Sequence, residues 1–229
     1  MIINGFQKMT LLDFPGKVAC TVFLGGCNFR CPFCHNAGLV LGSNPESYTE
    51  EEILSYLEKR KGLLDGVCFT GGEPTLRGDL LPFIEKVKAL GFAVKLDTNG
   101  TNPALLKELL DRELVDYVAM DIKNSFEKYP VSCGLDSMEL DPIKESIALL
   151  IGGNTDFEFR TTIVKELHTV EDIEALTGEI KGAKKYFLQS FVDSGDLLAQ
   201  GYSAHDTEVL KEMLSAAQKN IPEAALRGV

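Results

Sequence analysis

The sequence predicts an α/β fold, a partial (β/α)6 barrel of parallel strands with helices outside, and three observations carry that expectation. Six short apolar, β-branched runs alternate with six segments of helical periodicity, the arrangement that builds a parallel sheet. Polar and glycine-rich residues recur where those strands end, the face on which (β/α) barrels place their sites. Six units also fall short of the eight that close a barrel, so an open one is expected. A doubly wound open sheet is the alternative.

Taken in order, residues 1–16 form an N-terminal extension, mixed and turn-rich from Gly5 and ending in Asp13-Phe14-Pro15-Gly16. Lys17 to Leu24 is apolar almost throughout, as a strand covered on both faces should be. Gly25-Gly26 ends it, and a cysteine-bearing loop, residues 25–48, follows. Glu50 to Lys61 reads as a helix with Ile53, Leu54 and Leu57 on one face and Thr49 as N-cap. Gly66 to Thr70 is a short buried strand leading into Gly71-Gly72-Glu73-Pro74. Leu80 to Leu90 is helix, Phe92 to Asp97 strand, and Pro103 to Arg112 a helix with Pro103 at its first position. Val115 to Ile122 is the next strand, ending near Asp121 and Lys123. The longest irregular stretch, 124–137, is of a length that is usually functional in compact domains. Beyond it come a helix from about Met138 to Leu150, a strand Phe157 to Val164, a helix Val170 to Ile180, a strand Tyr186 to Phe191 and a last helix, about Asp206 to Lys219. No linker or low-complexity segment interrupts them, so one domain over 1–229 is expected.

Bulk properties narrow the function. With 34 acidic residues against 23 basic and a net charge of −11, nucleic acid is not expected as a partner, because phosphate binding relies on a basic face. No apolar stretch approaches a membrane span, and the N-terminus lacks the pattern of a signal peptide. A cytoplasmic protein is expected, whose six cysteines stay reduced.

Cys27, Cys31 and Cys34, spaced C-x3-C-x2-C, carry the strongest chemical signal. Three thiolates so close suit a soft metal centre. They are one ligand short of a four-iron cube, which leaves one iron open. Their offsets would also line a helix as core thiols, but Pro32 breaks such a helix. A zinc site completed by His35 is the other alternative, although adjacent Cys34 and His35 reach one tetrahedral ion only with strain. Ligand count and spacing favour iron–sulfur over both.

Other residues fall into supporting places. Gly71 and Gly72, after a buried strand, let backbone groups approach a ligand with no Cβ in the way. Glu73 can accept from an ammonium, and Asp97 and Asp121 can hold hydroxyls or a cation; capping a helix is the alternative for the two aspartates. Lys123 can pair with a carboxylate, or stand solvated on the surface. Arg160, inside an apolar strand, must find a buried partner, either a ligand carboxylate or a structural ion pair. Cys20 and Cys68 read as buried thiols. Cys133 has no evident role, and His168 and His205 read as surface or cap residues.

The loop Cys27-Asn28-Phe29-Arg30-Cys31-Pro32-Phe33-Cys34-His35-Asn36 resembles the signature of the radical S-adenosylmethionine (SAM) enzymes, with Phe33 before the last cysteine. The resemblance implies a [4Fe–4S] cluster held by Cys27, Cys31 and Cys34, with SAM chelating the open iron, and a partial barrel of the radical SAM type. Gly71-Gly72-Glu73-Pro74 is similar to the family's glycine motif. Asp97-Thr98-Asn99-Gly100 and Asp121-Ile122-Lys123 are similar to SAM-contacting strand ends of the glycyl-radical-enzyme activases. Cofactor contacts are thereby implied for Phe33, His35, Gly71, Gly72, Glu73, Asp97, Thr98, Asn99, Asp121, Lys123 and Arg160. The resemblance also admits a monovalent cation near Asp97 and Asp121. The Asp13-Phe14-Pro15-Gly16 element resembles one whose aspartate meets the glycine loop of a partner enzyme. The Asp-Phe-Pro-Gly element, the C-N-F-R-C-P-F-C-H-N loop and a chain of 229 residues are together most similar to activases of anaerobic ribonucleoside-triphosphate reductase, and no cysteine-rich insert interrupts Asn36 to Glu50, unlike several other glycyl-radical activases. The implied partners are that reductase and a low-potential electron donor such as flavodoxin or ferredoxin. Activases of the pyruvate formate-lyase type, and radical SAM enzymes acting on small molecules or peptides, share most of these features. A non-enzymatic iron–sulfur carrier or zinc scaffold is the alternative of another class. The histidine that packs on SAM in pyruvate formate-lyase activase has no counterpart near Phe191.

Overall fold

Apolar, β-branched runs become strands because a pleated backbone covered on both faces has no use for polar side chains. They do so in a computed structural model that describes residues 2–42, 47–193, 195 and 197–229. Residues 43–46 of the expected cysteine loop lie outside the described residues. The chain divides into two compact units. One comprises Met1–Asn28, Gly38–Ala119 and Asn154–Asp156; the other comprises Phe29–Ala37, Met120–Gly153 and Phe157–Val229.

The first unit holds β1 (Ile2–Ile3), β2 (Gly5–Thr10), β3 (Ala19–Leu24), most of α1 (Ala37–Leu41), β4 (Tyr48–Thr49), α2 (Glu50–Glu58), β5 (Gly66–Gly71), α3 (Leu80–Ala89), β6 (Ala93–Thr98), α4 (Pro103–Asp111) and the start of β7 (Tyr117–Asp121). Strands β3, β5 and β6 run parallel, with Val22 opposite Phe69 and Phe69 opposite Leu96. All three carry continuous buried runs that are mostly apolar, interrupted by Thr21 in β3 and Lys95 in β6. Residues 5–10 correct the expectation of a turn-rich extension. They form a strand antiparallel to β3, Gly5 opposite Phe23 and Thr10 opposite Ala19, with a register shift between Gln7 and Thr10. Only Gly5 and Thr10 of that strand are buried, so it lacks the apolar signal of its neighbours. Phe14, 2 % exposed, packs with Ala19 and Tyr117 beneath it.

Helix starts follow local chemistry. Thr49 caps α2 by accepting from Glu52 N–H at 3.2 Å while the Glu52 carboxylate accepts from Thr49 N–H at 2.7 Å, a reciprocal capping box. Asn102 caps α4 ahead of Pro103 in the same manner, accepting from Leu105 N–H. Each of these helices buries residues three or four apart, Ile53 with Leu57 and Leu106 with Leu109.

The second unit holds the end of β7, α5 (Tyr129–Ser132), α6 (Asp141–Gly152), β8 (Asp156–Ile163, all but its first residue), α7 (Val170–Glu179), β9 (Tyr186–Ser190), α8 (Thr207–Gln218) and β10 (Ala225–Arg227). Strands β8, β9 and β10 are parallel neighbours, with Phe159 opposite Tyr186 and Leu188 opposite Leu226. Two expectations are corrected here. The irregular stretch 124–137 contains the helical turn α5, and α6 begins at Asp141 rather than Met138, because Pro142 fits only the first helical turn. The third is an addition, β10, three residues too short to show a pattern. Arg227 secures it by donating to both oxygens of buried Glu158, at 2.7 and 2.8 Å, with its guanidinium 3.3 Å over Phe187. No helix of the described residues is long and apolar enough to cross a membrane.

Candidate active site

In the first unit the site begins with the glycine turn after β5. Gly71 has a φ of +122°, and a Cβ there would stand 2.3 Å from Leu24 O. At Gly72 a Cβ would stand 2.0 Å from Gly26 O. Glycine is thus required at both positions by close approach of the chain to itself. Gly72 N–H donates to Leu24 O and Glu73 N–H to Gly26 O, each at 2.8 Å. The turn is thus stitched to the residues that lead into Cys27, which is half-buried.

Glu73 is 1 % exposed, and both its oxygens accept hydrogen bonds from neighbouring residues. Oε1 accepts from Thr75 N–H (3.0 Å), Thr75 Oγ1 (2.5 Å) and Thr98 Oγ1 (2.8 Å), and Oε2 accepts from Asn99 N–H (2.6 Å). Burial pushes its carboxyl above the usual carboxylate range, against the pull of these donors. Asn99 continues the network, its Nδ2 donating to Asn28 Oδ1 at 2.9 Å, and Asn28 Nδ2 donates to Thr101 Oγ1 at 2.9 Å. Glycine turn, end of β6 and the residue after Cys27 are one hydrogen-bonded body. Thr98 and Asn99 are both buried in it.

Asp97 pairs with Lys95, a buried lysine that the sequence reading did not single out. Its Oδ2 also accepts from Thr70 Oγ1 at 3.1 Å. The signal for Lys95 was available: residues two apart on a strand share a face. Asp13, half-buried, accepts from Thr21 Oγ1 at 2.5 Å, which ties the Asp-Phe-Pro-Gly element to β3.

In the second unit Cys31 is buried, Cys34 half-buried, Phe33 4 % exposed and His35 exposed. His35 lies over Phe191 with ring centroids 5.7 Å apart and planes at 34°. Burial lowers the His35 pKa and raises that of Cys34. Cys31 is different. A hydrogen bond from the Cys133 thiol, with help from the Lys123 charge, brings it down to about 7 against the effect of burial. Asp121 accepts from Lys123 Nζ at 3.0 Å and from Arg160 Nε. Burial alone would raise the Asp121 carboxyl, but the two cations hold it well below the carboxylate range, and Asp121 in turn raises Lys123. Arg160 thus has the structural ion pair as its partner. A monovalent cation near Asp97 or Asp121 would have to share each carboxylate with a resident ammonium or guanidinium.

One residue corrects the sequence reading in this unit. His168 is 1 % exposed, not a surface residue. Val164 N–H donates to its Nδ1 at 3.1 Å and Nε2 donates to Lys123 O at 2.9 Å, which fixes the neutral tautomer and braces the backbone of Lys123. Burial lowers its pKa accordingly. His205 Nε2 donates to His168 O at 2.8 Å. Neither role had a signal in the sequence, because both depend on backbone groups some 40 residues away. Cys20 and Cys68 are buried, as expected.

All six cysteines are free thiols, and no group of three His, Cys, Asp or Glu side chains among the described residues is gathered to hold a metal ion. The fit to an iron–sulfur group lies in donor chemistry: an all-sulfur set at C-x3-C-x2-C spacing, one member of which is already poised to ionise.

Comparison with known proteins agrees. The radical SAM superfamily model matches residues 21–177. A putative glycyl-radical enzyme activating enzyme of Methanocaldococcus jannaschii is 34% identical over 234 aligned residues, covering 100% of this chain and 96% of that one. The pyruvate formate-lyase-activating enzyme of Clostridium pasteurianum is 27% identical, covering 96% and 97%. Among solved structures, a radical SAM methyltransferase from Sphaerobacter thermophilus shares the fold, with a TM-score of 0.73 over 96% of this chain and 68% of that one at 15% identity. A likeness so distant in sequence speaks to fold alone, but the family match covers most of the chain and the archaeal relative nearly all of it. The chain is therefore a radical SAM enzyme, a member of the superfamily homologous to the glycyl-radical enzyme activating enzymes.

Proposed function

We propose that this chain is the activase of an anaerobic ribonucleoside-triphosphate reductase, generating the glycyl radical on that partner. Membership of the superfamily implies a [4Fe–4S] cluster and SAM, and in this reading Cys27, Cys31 and Cys34 hold the cluster within a single cytoplasmic domain, 1–229. When bound, the reduced cluster supplies one electron to SAM, whose cleavage yields methionine and a 5′-deoxyadenosyl radical able to take a glycine Cα hydrogen.

The residues of this chain bind and orient. The turn Gly71-Gly72-Glu73, with Thr98 and Asn99, offers SAM a rigid strand-end edge, since Glu73 locks that edge from behind. Lys123, held by Asp121 and with its backbone braced by His168, meets the SAM carboxylate as a point charge in this reading. Asp97, Asp121 and Arg160 complete the polar lining, and Phe33 and His35 flank the thiols. Asp13 contacts the partner's glycine loop, and flavodoxin or ferredoxin supplies the electron.

The observation that carries this reading is the end-to-end similarity to a glycyl-radical activating enzyme, joined to an Asp-Phe-Pro-Gly element anchored on β3. The choice of the reductase over pyruvate formate-lyase rests on the Asp-Phe-Pro-Gly element and the Cys27–Asn36 loop taken together. The test is anaerobic incubation of reduced, cluster-loaded protein with SAM and each candidate enzyme. A SAM-dependent glycyl-radical doublet by electron paramagnetic resonance (EPR) is expected on the reductase. A doublet on a lyase only would move the assignment to that partner.

A further inference from the structure

We propose that the Lys95 ammonium is the built-in counter-cation of Asp97 and takes the place there of the monovalent ion that the resemblance admits. Lys95 is thus a positioning residue, acting through Asp97. Its bearing on the cofactor rests on the reading above that Asp97 belongs to the polar lining of the SAM site.

The geometry lies wholly in the first unit. Lys95 and Asp97 stand two residues apart on β6, so their side chains leave the strand on one face. Lys95 Nζ donates to Asp97 Oδ1. The other oxygen, Oδ2, accepts from Thr70 Oγ1 at 3.1 Å. The neighbouring strand β5 brings Cys68 opposite Lys95. Its Sγ lies 3.8 Å from Lys95 Nζ and 3.8 Å from Asp97 Oδ1. The pair is enclosed, with the lysine side chain 3 % exposed and that of Asp97 13 %.

Charge decides what Asp97 can hold. A buried ammonium persists only beside an opposite charge, and Asp97 supplies it. A site for a hard cation gathers oxygen ligands around the ion. Here one carboxylate oxygen faces an ammonium and the other receives the Thr70 hydroxyl proton. A metal ion bound at Asp97 would sit against the same ammonium, and like charges repel strongly where water is scarce. Lys95 delivers the single positive charge of a sodium or potassium ion, and its covalent tether removes the need to recruit one. Asp97 is followed directly by Thr98 and Asn99, both hydrogen-bonded to Glu73. Fixing Asp97 therefore also fixes the end of β6. Asp121, within the second unit, is likewise held by cations of the chain, Lys123 and Arg160.

The test compares wild-type protein with K95A and K95A/D97N, each loaded anaerobically with iron and sulfide, in KCl and in choline chloride at equal ionic strength. The thermal unfolding midpoint and the SAM dissociation constant are read in both salts. Wild-type values should agree between the salts. In choline chloride K95A should unfold about 8 °C below wild type, because a buried carboxylate has lost its partner. It should also bind SAM about tenfold more weakly. KCl at about ten times the ion's dissociation constant should restore about 4 °C of the midpoint, and most of the SAM affinity with it, because the ion enters the space that the ammonium leaves. K95A/D97N has no carboxylate to neutralise and should be indifferent to KCl. If K95A does not fold, K95S leaves similar space with a hydroxyl beside Asp97. A wild-type midpoint or SAM affinity that depends on KCl overturns the proposal. So does a K95A that gains nothing from KCl, or a double variant that KCl stabilises as much. Failure of loaded wild-type protein to bind SAM in either salt would instead overturn the cofactor reading, while the midpoints still decide the role of Lys95.

Discussion

At the scale of single residues, Glu73 shows how one buried carboxylate can tie a strand end to a turn. Its two oxygens accept four hydrogen bonds in a buried position. Glu73→Gln places an amide where at least one N–H donor now points, leaving a buried donor without an acceptor. That should cost about 2 kcal/mol, measured as a shift in denaturant midpoint with an unchanged slope. Gly72→Ala drives a methyl into Gly26 O and should cost about 3 kcal/mol or displace the turn. His168 gives a pH signature. Its folded pKa is lowered by burial from an ordinary 6.5, so the unfolded chain binds a proton first as pH falls. Its contribution to stability is therefore complete above about pH 6.5 and declines below it. His168→Gln should flatten the decline between about pH 6.5 and 5.5, as measured by thermal unfolding.

What the sequence disclosed at this scale divides by distance along the chain. The cysteines and glycines were legible because their spacing is local. The partners of Glu73 and His168 were not, because each is brought near by folding: Asn99 for the first and Lys123 O for the second. Lys95 lies between these cases, since Lys95 and Asp97 alternate on one strand face and their pairing could have been read.

At the scale of elements, burial decided what could be read. The six expected strands announced themselves through their apolar, mostly buried runs, and the observed bounds differ from the expected ones by one or two residues. Strand β2 stayed hidden because Gln7, Lys8 and Met9 are exposed, and its pairing with β3 comes from backbone alone. Helices were legible at their caps. Thr49→Ala removes half of the α2 capping box and should cost about 1 kcal/mol, read from urea denaturation. Arg160 shows an element reading that resolved. A charge in an apolar strand needed a partner, and Asp121 on β7 provides it. Arg160→Met should leave Asp121 with Lys123 alone and cost about 2 kcal/mol. Its carboxyl pKa should move back toward the ordinary carboxylate range, checked by NMR titration.

At the scale of the whole molecule, the net charge of −11 agrees with a protein or cofactor target better than with nucleic acid. Full-length similarity to an activating enzyme places the chemistry on a radical SAM scaffold. The central claim is narrower: hydrogen is taken from a glycine of the reductase. It is tested most directly by activating a reductase whose glycines carry deuterium at Cα, then measuring the mass of the 5′-deoxyadenosine released. One deuterium in that product, accompanied by a glycyl radical on the reductase, is the predicted result. SAM cleavage at the same rate with no deuterium in 5′-deoxyadenosine would contradict the account.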